Sequence, residues 1–222
     1  MSSEDKNTQV NEDGLDTVTQ GRYPVHVLTV IGQVEGHFES NSQIKTTKYE
    51  HVIPQLVSVQ ENPQIKALMV ILNTVGGDVE AGLAIAELIK SITKPTATVV
   101  LGGGHSIGIP IAVAADRSFI VPTATMTVHP VRHSGTVLAA NQTENYLKAI
   151  QKRVTDFVTT NSSISPQRFA QLMYKSDELI MDMGTSLDGA QAVQEGLIDQ
   201  LGCISDAFSY LYAEIEKTQE DG

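Results

Sequence analysis

The chain has no tryptophan, a single cysteine and no apolar run approaching the length of a membrane span. One cysteine, Cys203, excludes an internal disulfide framework and a cysteine-rich zinc site. Basic residues are scarce: 15 Lys and Arg face 26 Asp and Glu, a formal charge of −11, and no basic stripe is present. That balance argues against nucleic acid as a partner. The first 20 residues are polar and acidic, unlike a secretory leader, so a cytoplasmic protein is expected. His129 and His133 stand at i,i+4, yet Pro130 opposes a regular helix there and no acidic residue lies between them. No metal site is expected, and no other motif asks for a cofactor.

What is there is the composition of a globular domain. With 222 residues, 41% hydrophobic and 18% charged, the chain can bury a full core. The negative charge is unevenly placed, with a net −4 in residues 1–20 and a net −3 in residues 214–222. Residues 1–22 are therefore expected to be a disordered acidic tail, residues 23–217 a single folded domain, and 218–222 a flexible end.

From Val25 the pattern alternates apolar, β-branched runs with helical stripes. Strands are expected at Val25 to Ile31, Ile65 to Leu72, Thr96 to Leu101, Ser118 to Val121 and Thr125 to Val128. Helices are expected around Lys45 to Val59, where Pro54 should kink or divide the helix, and at Val79 to Ile92 and Ile107 to Ala115. Strands that are apolar without alternation, separated by helices, imply a parallel sheet covered on both faces, an α/β fold. After Pro130 come a long helix over Leu138 to Val158, a helix from Pro166, a strand-like Leu179 to Met183, a helix at Gly189 to Glu195 and a last helix over Ser205 to Glu216.

The densest chemical signal is Gly102-Gly103-Gly104-His105-Ser106-Ile107-Gly108, a glycine-rich turn between a strand and a helix. It puts a hydroxyl on a sharp corner beside the free N–H groups of a helix start. Ser106 would also serve as a simple helix cap. A second glycine turn, Asn73-Thr74-Val75-Gly76-Gly77, ends the preceding parallel strand, and such strand ends share one crevice. The N–H groups of Gly77 and Ile107 suit a two-donor oxyanion hole, where losing one donor costs about 3 kcal/mol in the barrier. His129, at the end of a short strand, is a candidate general base. His105, adjacent to Ser106, should point elsewhere. Gly104-x-Ser106-x-Gly108 matches the α/β-hydrolase elbow, but only Asp116 lies between Ser106 and the histidines that follow, which rules out that scaffold's order of acid and base.

Five pieces then occur in a telling order: Gly32-Gln33-Val34-Glu35, Asn73 to Gly77, Gly103 to Gly108, Met126-Thr127-Val128-His129-Pro130, and Ala192 to Asp199. Over residues 25–215 the chain resembles the ClpP-type serine peptidases, most of all a branch linked to protein export. The resemblance implies a ClpP/crotonase-like ββα superhelix with a protruding long handle helix, and a Ser–His–Asp triad. It also implies cleavage of peptide bonds in short or unfolded polypeptides, signal peptides among them. It assigns Ser106 as nucleophile, His129 as base, Gly77 and Ile107 as oxyanion donors, and Gly76 and Gly104 to the substrate. Counting back without gaps from Gly196-Leu197-Ile198-Asp199, the family's aspartate position falls on Gly184. Asp182 is the candidate third member, since alternate residues of a strand share a side; Asp177 and Asp188 are further candidates. Val75 stands where the family usually has proline. The handle implies a homo-oligomer, with heptameric rings by analogy. The acidic N-terminal tail does not resemble the family's apolar-tipped axial loops, which argues against an unfoldase ATPase as partner.

Three functions are consistent with these residues. The leading one is a serine peptidase. A second is a catalytically weak binding protein for exported precursors, favoured by the glycine at position 184. A third is a crotonase-type acyl-CoA enzyme, whose acid–base glutamates have no clear counterpart in the glycine turns.

Overall fold

The computed structural model describes residues 18–19, 21–38, 40–41, 43–132, 140–176 and 183–220. Most of the acidic tail, His133, the end residues 221–222, and Asp177 and Asp182 lie outside them, as does all but Met183 of the strand expected at Leu179 to Met183. Within the stretch read as tail, Val18 forms an antiparallel bridge with His26.

The first half of the chain builds a parallel sheet. Its elements are β1 (Val25–Glu35), β2 (Thr46–Lys48), α1 (Tyr49–Glu61), β3 (Ala67–Gly77), α2 (Val79–Ser91), β4 (Thr96–Gly104), α3 (Gly108–Val113) and β5 (Arg117–Ile120). Then follow β6 (Thr125–Val128), α4 (Ala140–Thr160), α5 (Pro166–Met173), β7 (Thr185–Asp188), α6 (Gly189–Gln194), β8 (Gln200–Leu201) and α7 (Ile204–Glu220). The main sheet runs β2-β1-β3-β4-β5-β8, every pair parallel. β6 and β7 form a small antiparallel ribbon, joined to the main sheet through one pairing, Gly103 with Thr125.

Both faces of the main sheet are covered, which is why its strands are apolar without a break. On β3, Leu68, Val70 and Leu72 enter the large core with α1, α2 and α3, while Ala67 and Met69 face the other way. There they meet Ala207, Leu211 and Ile215 of α7. Alternate residues of one strand thus feed two cores. Among the described residues no helix is long and apolar enough to cross a membrane.

Three expectations change. Pro54 lies inside α1 without dividing it. The ring removes one N–H, while Val52, Leu56 and Val59 stay buried against the core and hold the helix together. Residues 46–48, expected to be helical, form edge strand β2 beside β1. Finally, the two glycine "turns" are strand ends: β3 continues through Gly77, pairing Gln33 with Gly76 and Val34 with Gly77, and β4 continues to Gly104. Glycine fits there because the neighbouring backbone comes so close. A Cβ on Gly77 would lie 2.1 Å from the Val34 carbonyl oxygen.

Candidate active site

With both strands prolonged, the corner is reduced to His105-Ser106-Ile107 between β4 and α3. Ser106 has φ 56°, the only non-glycine residue with positive φ among the described residues. That conformation costs an ordinary side chain roughly 1–3 kcal/mol and persists only where the surroundings fix it. Here they do. The Ser106 N–H donates to Thr127 O of β6 at 3.0 Å, and the His105 N–H donates to Thr74 O of β3 at 3.2 Å. Gly108 and Ile109 close the first turn of α3 on His105 O and Ser106 O. Asn73 Oδ1 accepts from the Gly103 N–H at 2.9 Å and ties the two strand ends together.

The oxyanion candidates follow from the same geometry. Asp78 N–H donates to Val34 O of β1, and Gly77, the last residue of β3, lines the cleft that holds Ser106. Asp78 then caps α2 by accepting from the Ala81 N–H at 2.8 Å. The Ile107 N–H, between two bonded neighbours, has no backbone acceptor among the described residues. Gly77, Ser106, Ile107 and His129 line one cleft of about 250 Å³, closed by Val131, Arg132, Phe169 and Met173. Gly76 and Gly104, expected to meet substrate, are buried behind the corner instead. A Cβ on Gly76 would come within 2.7 Å of Ser106 Cβ, so Gly76 gives the serine its space. Val75, two-thirds exposed, is the residue that faces the cleft at that point.

His105 is turned away, as expected. Its Nδ1 is 2.9 Å from Thr127 Oγ1, and burial, followed by the nearby His129, pushes its pKa below the usual histidine value. Sequence reasoning missed Thr127, whose carbonyl holds Ser106 while its hydroxyl holds His105. Only its place in the Met126–Pro130 run hinted at a role.

His129 follows the last residue of β6. The ribbon pairs Thr125 with Asp188 and Val128 with Thr185, and the pairing ends there, one residue short of both His129 and Gly184. Gly184 has φ 136° and β7 is described from Thr185, while Asp182 lies outside the described residues. Asp188 is committed to the start of α6, where it accepts from the Gln191 N–H in a capping box. Asp116 and Asp199 hold Thr96 and Ser118 at the opposite end of the sheet. No described carboxylate is bonded to His129. Its Nδ1 donates instead to Pro130 O at 2.7 Å.

The chain is similar to known proteins over most of its length. The family model for Clp protease matches residues 27–204. The translocation-enhancing protein TepA of Halalkalibacterium halodurans is 56% identical over 195 residues, covering 88% of this chain and 76% of that protein. The ATP-dependent Clp protease proteolytic subunit of Lactococcus lactis is 27% identical over 157 residues, 68% of this chain and 74% of that one. Among solved structures, a mutant ClpP1 from Listeria monocytogenes matches with a TM-score of 0.65 at 19% identity, over 82% of this chain and 93% of its own. The fold is therefore that of ClpP, and in sequence as in architecture this chain belongs to the Clp protease family.

Proposed function

We propose that the chain is a serine peptidase that cleaves short or unfolded polypeptides in the cytoplasm. The observation that carries this reading is the strained Ser106 sharing one cleft with His129 and with the amides of Gly77 and Ile107. In it, Ser106 Oγ attacks the scissile carbonyl while His129 takes its proton. The Gly77 and Ile107 N–H groups hold the oxyanion that forms. His129 then returns the proton to the leaving amine, and water, deprotonated by the same imidazole, releases the acyl group from Ser106. No metal or cofactor enters these steps. Likeness to a translocation-enhancing protein extends the proposal to peptides generated during export, signal peptides included. Assembly into a homo-oligomer through α4 fits its exposed N-terminal half, in which Tyr146 is 58% exposed and Ile150 is the first buried residue among those described.

The test is a fluorophosphonate probe followed by intact mass and peptide sequencing. Modification at Ser106, absent in Ser106→Ala, is the expected result. A folded protein that takes up no probe overturns the peptidase and favours the second reading, a catalytically weak scaffold that binds exported precursors. The observation favouring that reading is that, among the described residues, His129 Nδ1 bonds the Pro130 carbonyl rather than a carboxylate.

A further inference from the structure

Among the described residues no carboxylate is bonded to His129, yet the imidazole has an orienting partner. The Pro130–Val131 peptide group is gripped from both sides. Its carbonyl accepts from His129 Nδ1 at 2.7 Å, and its N–H donates to Gln151 Oε1 of α4 at 2.7 Å. A carbonyl oxygen can only accept, so Nδ1 must carry the proton, which leaves Nε2 as the lone-pair nitrogen a general base requires. Polarisation runs in one direction through the chain, from Gln151 Oε1 through the peptide to the imidazole, each bond strengthening the next. The Gln151 Nε2 is buried with no hydrogen-bond partner among the described residues. Such a group costs stability and survives where the other end of the side chain is needed.

We propose that Gln151, acting through the Pro130–Val131 peptide, is the positioning residue that orients His129. The inference rests on the peptidase reading for its catalytic meaning, while the clamp itself is a property of the folded chain. The clamp sets the tautomer and the orientation of the ring. Among the described residues, the other charged or titratable groups near the segment are His105 from the corner and Arg132 within it. On its far side Glu144, Lys148, Lys152 and Asp156 of α4 border an adjoining cavity of about 370 Å³, together with Tyr174.

The experiment uses the full chain, with the His129 side chain followed by ¹⁵N NMR and Ser106 labelling timed with a fluorophosphonate. The wild-type ring is expected as the Nδ1–H tautomer, and Gln151→Ala is expected to mix the tautomers and slow labelling roughly 10–100-fold. Gln151→Leu, close to isosteric and without an acceptor, gives the same reading if the alanine variant does not fold. Gln151→Glu restores the acceptor and places a charge behind the peptide. It should recover most of the lost rate and move the acidic limb of the labelling profile to higher pH, which a purely structural contact would not do. An Nε2–H wild-type ring, or a tautomer and rate unchanged in the alanine and leucine variants, overturns the clamp. If the wild-type protein is never labelled, the peptidase reading falls, and the tautomer comparison alone still decides the clamp.

Discussion

The serine side and the histidine side of the cleft are held by different means. Ser106, Gly77 and Ile107 sit where two central strands end, tied by Asn73, Thr74 and the Thr127 carbonyl, over a core that is almost fully buried. His129 hangs from a four-residue ribbon with a single pairing to the main sheet, and its orientation comes from one peptide group and one glutamine. A strained serine and a pair of oxyanion amides need a rigid frame, because their worth lies in not moving during the reaction. A base needs only the right tautomer and reach, which a lighter support supplies. The candidate nucleophile and oxyanion amides thus sit on the ends of the central strands, and the candidate base at the end of a short ribbon beside them.

The largest expected effect comes from breaking the rigid side at its reacting atom. Ser106→Ala should lower peptide turnover by about a thousandfold or more, read with a fluorogenic peptide, with little change in stability because the backbone strain remains. Next is Gly77→Ala. The residue has φ 152° and its Cβ would meet Val34 O at 2.1 Å, so β1 and β3 must part. A loss of at least about 2 kcal/mol in urea denaturation is expected, together with about a hundredfold slower labelling. If Gly77→Ala instead folded and labelled normally, the serine side would be no more rigid than the histidine side.

How far the sequence foretold this contrast depends on the range of the interactions. The parallel sheet was legible because both of its faces are covered, which writes unbroken apolar runs into β3 and β4. Ser106, His129, Gly77 and Ile107 were found from punctuation: glycines before a helix, and a proline after a histidine. The glycine runs were misread as turns, since nothing local tells a glycine that lets two strands come close from one that bends the chain. Gly184 could be located by counting, and the ribbon pairing stops one residue short of it, at Thr185. Gln151 was illegible. On a helix among Lys148, Lys152 and Arg153 it looks like solvated surface, and its partner, Val131, lies twenty residues away around a segment no periodicity describes.

A smaller effect separates His105 from the site it adjoins. Burial keeps its folded pKa below the unfolded value of 6.5, so the unfolded chain takes up the proton first. The sign follows: this histidine leaves stability unaffected above about pH 6.5 and erodes it as the pH falls from there toward the depressed folded value. His105→Asn, whose amide can reach Thr127 from near the Nδ1 position, should lose less stability than the wild type between pH 7.5 and 5.5 in urea titrations. An equal loss would mean that His105 is hydrated and the corner is open.

The smallest effect tests whether the two sides are mechanically joined at the surface. Arg153 of α4 grips Glu80 of α2 with two hydrogen bonds, at 2.6 and 3.1 Å, across the gap between the histidine and serine sides. The Arg153 hydrogen bond, ahead of a smaller opposing effect of burial, holds the Glu80 carboxyl below its usual value. Its contribution is therefore present above the unfolded carboxylate range and lost as the pH falls through the folded value, in the acid region. Both side chains are about half exposed, so screening limits the pair to about 0.5 kcal/mol, and less in high salt. Beneath it Val154, Phe157 and Val158 bury α4 against the core, and that apolar contact is the stronger joint. Glu80→Gln should therefore shift urea stability within that limit and change the Ser106 labelling rate by no more than about twofold. A tenfold slower rate at unchanged stability would reverse the argument: the base would then owe its position to a surface charge pair, and salt alone would tune the enzyme.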